Sequence, residues 1–401
     1  MGSPRSHDQR TGNRSMLNRS TQVLLNVGHA IDHMFLLIFA TAVTAIAQDF
    51  GMARWEDLMP WGVLAFFCFG LGSLPSGKLG DQWGRRKMML VFFFGMGASA
   101  IAVSLTQTPW QLALALGLLG CFASIYHPVG IPMLVQGAQR PGWTIGVNGL
   151  SGNLGLALAA VVTGLLVKHV GWRGAFILPG LVSLLCGLLF ARCAPAELQA
   201  PARKPASPGA ASGASVARLL LIMTLAATSA SLLFNFSTNS NYEMLADRLQ
   251  QATRDPAQIG LLLAAVYTLA SLSQLLVGAL IDRFPLKPLY LSILVLQVLC
   301  LLLATQAGGW TFYALQFLFM ATIFGIVPFT EAMMVRFVDD RIRSRVAGMR
   351  LAVSLGASSL AVWLIGPVVK QAGFSALLWV MCACGLLTLA VVSQLPRAPV
   401  P

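Results

Sequence analysis

The stretch Gly77-Lys78-Leu79-Gly80-Asp81-Gln82-Trp83-Gly84-Arg85-Arg86-Lys87 decides the fold. Apolar runs flank it on both sides, over roughly residues 58–76 and 88–107. Two apolar runs joined by a short basic turn read as two membrane helices and a tight loop. The basic residues place that loop on the cytoplasmic side. Gly77 and Gly84 let the helix ends approach and turn, Asp81 can cap or pair across the loop, and Arg85, Arg86 and Lys87 hold it at the anionic leaflet. The motif recurs about 200 residues later as Gly278-Ala279-Leu280-Ile281-Asp282-Arg283, again between two apolar runs. Two copies at matching places imply a chain of two repeated halves.

Composition agrees. Of 401 residues, 56% are hydrophobic and 10% charged, with mean hydropathy +0.73; soluble domains carry about 25% charge. At ~20 residues per span there is room for twelve helices. The net charge of +13 would suit a nucleic-acid partner, but its distribution argues for topology and against nucleic acid. With both termini cytoplasmic, most Lys and Arg fall on inner segments. Only Arg54, Lys168, Arg173, Arg248, Arg254 and Lys370 fall outside.

The predicted fold class is an all-α integral membrane protein, with twelve transmembrane helices in two pseudo-repeated six-helix halves around a central cavity. Residues 1–20 read as a disordered cytoplasmic tail with no cleavable signal peptide. An amino-terminal half follows over 21–193, then a Pro/Ala/Gly/Ser-rich cytoplasmic linker over 194–217. The second half covers 218–395 and a short cytoplasmic tail 396–401. Trp55, Trp61, Trp110, Trp172 and Trp310 fall near outer helix ends, as an interfacial aromatic belt does. The seven cysteines read as packing residues.

The loop motif, its second copy and the twelve-helix count resemble the major facilitator superfamily of secondary transporters. The resemblance implies alternating access, with the Gly77 and Gly278 loops, including Asp81, Gly84, Arg85, Arg86, Asp282 and Arg283, acting as inner-face latches. It also implies that helices 1, 4, 7 and 10 line the cavity. Gly28-His29 with Asp32, then Ser124-Ile125-Tyr126-His127-Pro128, then Asn148 to Gly155, resemble more closely the fosmidomycin-resistance branch. Val129-Gly130 departs from that branch, where an acidic residue would follow His-Pro.

An ionisable group inside a membrane is costly and so is a functional candidate. His29, Asp32 and His33 share one face of helix 1. Asp32 lies about 11 residues into the span, ~16 Å at the helical rise. The three are candidates for proton coupling; the other reading is an Asp–His pair that locks helix 1 to its neighbour. Tyr126 and His127 beside Pro128 mark a kink in helix 4 and a substrate contact or gate, against a kink used only in packing. In helix 5, glycines 146, 149, 152 and 155 suit close backbone packing. A Gly-Pro pair, common there in exporters of the resembled family, is absent. Asn235 and Asn239, four residues apart on helix 7, face either substrate or a solvated mouth. The Asn-rich run that follows suggests an unwound or hydrated outer end. Glu331, toward the cytoplasmic end of helix 10, is a further substrate candidate or a partner of an inner-loop Arg.

No phosphate-cradling loop, nucleophile constellation or Cys/His metal cluster is visible. The expectation is a non-enzyme without cofactor or metal. Its partners would be a small-molecule substrate, protons and membrane lipids, with a monomer sufficient. Proton-coupled efflux of a small organic molecule leads. Proton-coupled uptake of an organic acid or nutrient is the alternative, and a non-transporting sensor on a transporter scaffold is a third reading.

Overall fold

A computed structural model describes residues 17–136, 138–195, 214–337 and 340–395. The linker expected at 194–217 falls mostly outside these residues, as do the carboxyl-terminal tail and nearly all of the amino-terminal one. The elements are α1 (Arg19–Asp49), α2 (Val63–Trp83), α3 (Arg85–Ser104), α4 (Pro109–Ala123), α5 (Ile131–Val135), α6 (Pro141–His169), α7 (Trp172–Cys193), α8 (Ala214–Arg248), α9 (Pro256–Ile281), α10 (Leu286–Ala304), α11 (Gly309–Gly325), α12 (Val327–Phe337) and α13 (Asp340–Ser393). Eleven described stretches are long and apolar enough to cross a membrane. The last of them turns at Gly373, whose φ of 73° is open to glycine, so α13 holds two spans and the total is twelve. Helix is the expected solution, because lipid offers backbone amides no partner.

Local chemistry sets the helix limits. Asn18 caps α1 by accepting from the Thr21 amide at 2.8 Å, and its side-chain amide donates to the Cys193 carbonyl at 2.7 Å. The chain is therefore already packed at residues expected in the tail. Pro128 has no amide hydrogen, and the chain between α4 and α5 widens into a π-helical turn over Tyr126–Gly130. Pro328 lies just past the break between α11 and α12.

Of the two readings for the outer part of helix 7, unwound or hydrated, the unwound one does not hold. α8 stays helical to Arg248. Its polar side chains bond back onto their own helix: Asn235 to Ser231 O at 2.9 Å, Ser237 to Leu233 O at 2.8 Å, Thr238 to Phe234 O at 2.8 Å, Asn239 to Asn235 O at 3.2 Å and Ser240 to Phe236 O at 2.6 Å. These carbonyls serve both backbone and side chain, so the polar run needs no water to stay helical. Trp172 also departs from expectation: it is buried, with the Arg173 guanidinium over its ring, and is no part of a lipid-facing belt.

The two halves meet closely at one end of the bundle. A Cβ at Gly164 of α6 would lie 2.5 Å from the Pro256 carbonyl, and one at Gly260 of α9 would lie 2.5 Å from the Ala160 carbonyl. On the opposite side Gly366 of α13 meets the Glu56 carbonyl at 2.2 Å by the same measure, and Trp55 stacks on Phe374. Ion pairs cross the same end: Lys168 Nζ to Asp255 Oδ2 at 2.5 Å, and Lys370 to Asp57.

The other end is open. Gly146 lies eighteen residues before Gly164, and Gly278 eighteen residues after Gly260; five turns of helix put each on the same face as its counterpart. Among the described residues, nothing lies within 4 Å of a Cβ at Gly146 or Gly278. Thus α6 and α9 touch at the Lys168–Asp255 end and part toward the signature-loop end.

Candidate functional site

Between the halves lies a cavity of about 300 Å³. His33, Phe66, Phe69 and His127 form its wall on the first half, and Ser231, Asn235, Asn239, Thr330 and Ser358 contribute from the second. Four sequence candidates thus line one space: His33, His127, Asn235 and Asn239. Apolar surface dominates, with a few convergent polar groups, the usual make-up of a small-molecule site.

His127 is carried to the cavity by the π turn. Its neighbour Tyr126 points the other way and is fully buried. The Tyr126 hydroxyl donates to the Leu25 carbonyl at 2.7 Å and accepts from the Asn148 amide at 2.8 Å, while its ring stacks on His29 at 4.8 Å. Tyr126 therefore positions other groups; its expected substrate contact is not made in this cavity. Asn148 also donates to Asn26 Oδ1 at 2.9 Å, so α1, the π turn and α6 are tied by one polar chain.

Asp32 is fully buried, and neither carboxylate oxygen has a hydrogen-bond donor among the described residues. The His127 Nε2 stands 3.6 Å from its Oδ2. His29 lies behind His33 and His127, with ring centroids 4.7 and 5.1 Å away. Its Nδ1 is 2.7 Å from the Asn148 carbonyl oxygen, which only accepts, so this nitrogen carries the hydrogen and donates. The Nε2 is then a lone-pair nitrogen, and it has no partner. Sequence spacing pairs only His29 with His33; the fold adds His127, and ligating nitrogens of all three lie within 4.8 Å of one another.

Several contributors were not assigned from sequence. Glu243 is buried near the closed end of α8, where it accepts from the Thr44 hydroxyl of α1 at 2.8 Å. The Asn-rich run around it drew attention to amides, and nothing in the spacing links it to Thr44. Ser358 accepts from the Asn235 amide at 2.8 Å and contacts Ser231 at 3.1 Å; the small polar run in the penultimate span was its only signal. The Glu331 backbone lies on α12, but its side chain is not among those described.

The signature loop does not bridge the halves among the described residues. Gly84, with φ 95°, makes the turn only glycine takes readily. Arg85 donates to the Pro132 carbonyl at 3.0 Å and to Gln136 at 3.1 Å; Arg86 donates to the Ala191 and Ala194 carbonyls at 2.6 and 3.1 Å. Both arginines cap helix ends within their own half, where free carbonyls and the helix dipole favour cations. Asp81 is exposed and adds its charge beside Arg85. A Cβ at Gly77 would sit 3.5 Å from Pro128, whereas Gly278 faces open space. Asp282 and Arg283 are exposed. Among the described residues, those expected to form the latch make no contact across the halves.

Two helical halves, in contact at one end and parted at the other around a cavity with polar groups from both, define a multi-pass secondary transporter, not an enzyme. The chain belongs to the Major Facilitator Superfamily, whose model matches residues 25–247 and again 219–401. A curated relative, multidrug resistance protein MdtG of Enterobacter lignolyticus (strain SCF1), is 25% identical over 309 residues, covering 75% of this chain and 73% of the relative. Among solved structures, a D-xylose-proton symporter aligns with TM-score 0.76 at 15% identity, covering 94% of this chain and 98% of the other. A bacterial homologue of the human lysosomal transporter Spinster, inward-facing and unoccupied, aligns with TM-score 0.71 at 14% identity, covering 93% of each chain. These two likenesses concern the fold.

Proposed function

We propose that this transporter exports a small organic molecule from the cell in exchange for protons. Asp32, flanked by His29 and His33, is the proton-coupling group; His127, Asn235 and Asn239 contact the substrate. The observation that carries the reading is a fully buried carboxylate with no hydrogen-bond donor among the described residues, 3.6 Å from His127, which lines the cavity. Such a charge is costly in a low-dielectric interior unless a proton or cation joins it. A group whose charge is compensated by an exchangeable partner is what coupling requires.

The positive-inside distribution puts the signature loop and both termini in the cytoplasm of an inner-membrane protein. The cavity then opens inward, the loading state for an exporter. The name of the curated relative, a multidrug resistance protein, agrees with export of an organic compound. The protein acts as a monomer in contact with lipid. Uptake by symport is the second reading, favoured by the glycine-rich start of α6, which has no proline over residues 142–169.

Proteoliposomes with an internal pH dye test this. A substrate whose outward movement dissipates an imposed inward proton gradient supports exchange, and movement with protons in one direction supports uptake. Asp32→Asn should uncouple the two fluxes. Wild-type rate with unchanged pH dependence in that variant would overturn the assignment of Asp32.

A further inference from the structure

The three histidines at the cavity wall make an arrangement that proton coupling alone does not call for. Three donor nitrogens within 4.8 Å of one another lie at most about 2.8 Å from a common centre. Zinc–imidazole bonds are about 2.0–2.1 Å, so small ring rotations bring all three into range. His29 is already set as a ligand: Asn148 O holds its Nδ1 hydrogen and leaves Nε2 bare and unpartnered, the outer-shell device that fixes tautomer and ring direction at metal sites. Asn148 is itself held by Tyr126 and Asn26. Three neutral imidazoles bring no charge, and Asp32 supplies it: its buried oxygens have no donor, and Oδ2 lies 3.6 Å from His127 Nε2. Access is direct, because His33 and His127 line the cavity.

We propose that His29, His33 and His127, with Asp32 as charge partner, bind one first-row divalent transition-metal ion such as Zn²⁺ or Co²⁺. Imidazole donors favour these ions over Mg²⁺ or Ca²⁺, which take oxygen shells. The ion sits at the wall between α1 and the π turn, with its remaining coordination position toward the cavity. The inference goes beyond proton coupling and does not rest on it: binding is an equilibrium property, measured without flux, and loss of either reading leaves the other to be decided by its own test.

The test is Co²⁺ titration of the full-length protein in detergent, purified through a histidine-free tag. One equivalent should bind with the visible ligand-field bands of four- or five-coordinate Co²⁺. Zn²⁺ should displace it and Mg²⁺ should not. His33→Gln and His127→Gln should each weaken binding at least about tenfold. Folded wild type that binds no Co²⁺ saturably overturns the proposal. So does binding retained in the double variant, which would mark an adventitious cation held elsewhere. Should the variants fail to fold, X-ray absorption of the wild-type complex decides: a shell with imidazole nitrogens supports the site, and an oxygen-only shell overturns it.

Discussion

Thr44 Oγ1 donates to Glu243 Oε1 at 2.8 Å, joining the first helix of one half to the first helix of the other inside the closed end. The acceptor is a buried carboxylate, and this donor is lost if the halves part there. The bond is thus available to one conformation only, and a contact that differs between two states sets their populations. Thr44→Val removes the donor and keeps the shape. A buried hydrogen bond contributes about 0.5–1.5 kcal/mol net, so the closed-end population should fall by roughly two- to tenfold. Spin-label distances across that end should lengthen; an unchanged distribution would show the bond is neutral to the transition.

The matched glycines of α6 and α9 predict two opposite phenotypes. Gly260→Ala sets a Cβ 2.5 Å from the Ala160 carbonyl and should push the closed end apart. Gly278→Val meets nothing within 4 Å among the described residues and should leave the fold and thermal stability unchanged. It should still slow transport several-fold, because the same face must approach its partner when the open end closes. Cysteine cross-linking at each end separates the two. Equal effects of both variants on one end would contradict the splayed arrangement.

The clamp at Asp255 should respond to acid. Its carboxyl is held below the ordinary value, chiefly by the hydrogen bond from Lys168. A depressed native value means the contribution is complete above the free carboxylate value of about 3.9 and is lost as pH falls through the native one. Closed-end distances should therefore hold from neutral pH down to about 4 and loosen only below. Asp255→Asn should mimic the acid state at pH 7 while keeping the cap on the Ala257 amide, which asparagine serves equally well. The change should be small, as the pair is exposed.

Tyr126→Phe tests the polar chain behind the site. It removes the bond to Leu25 O and strands one donor of Asn148. A loss of about 1–3 kcal/mol is expected for the unsatisfied buried groups, read as a lower unfolding temperature in detergent. The His29 ring should also lose its fixed orientation, broadening its NMR signal. A sharp, unshifted signal would show that Asn148 holds His29 without Tyr126.

The sequence was most readable where one local rule leaves little choice. Apolar runs must be helices in lipid, and Gly84 must turn; both follow from composition and short-range sterics. His29, Asp32 and His33 were legible as a group because helical spacing places them together. Helix phase alone cannot say that the π turn brings His127, and not Tyr126, to the cavity. The unwound alternative for the Asn-rich end of α8 failed because the count of polar groups does not show that several bond to carbonyls one turn back on their own helix.

By itself, then, the sequence determined the membrane-spanning helices, the repeated halves and the costly ionisable groups, since each depends on neighbours within a few turns. Only the tertiary structure decided which groups meet: His127 with the histidines of α1, Thr44 with Glu243, Lys168 with Asp255, and which end of the bundle is shut. Those partners lie 87 to 199 residues apart in sequence where direct bonds join them. Their meeting is set by how whole helices pack against one another, and local spacing carries no record of it.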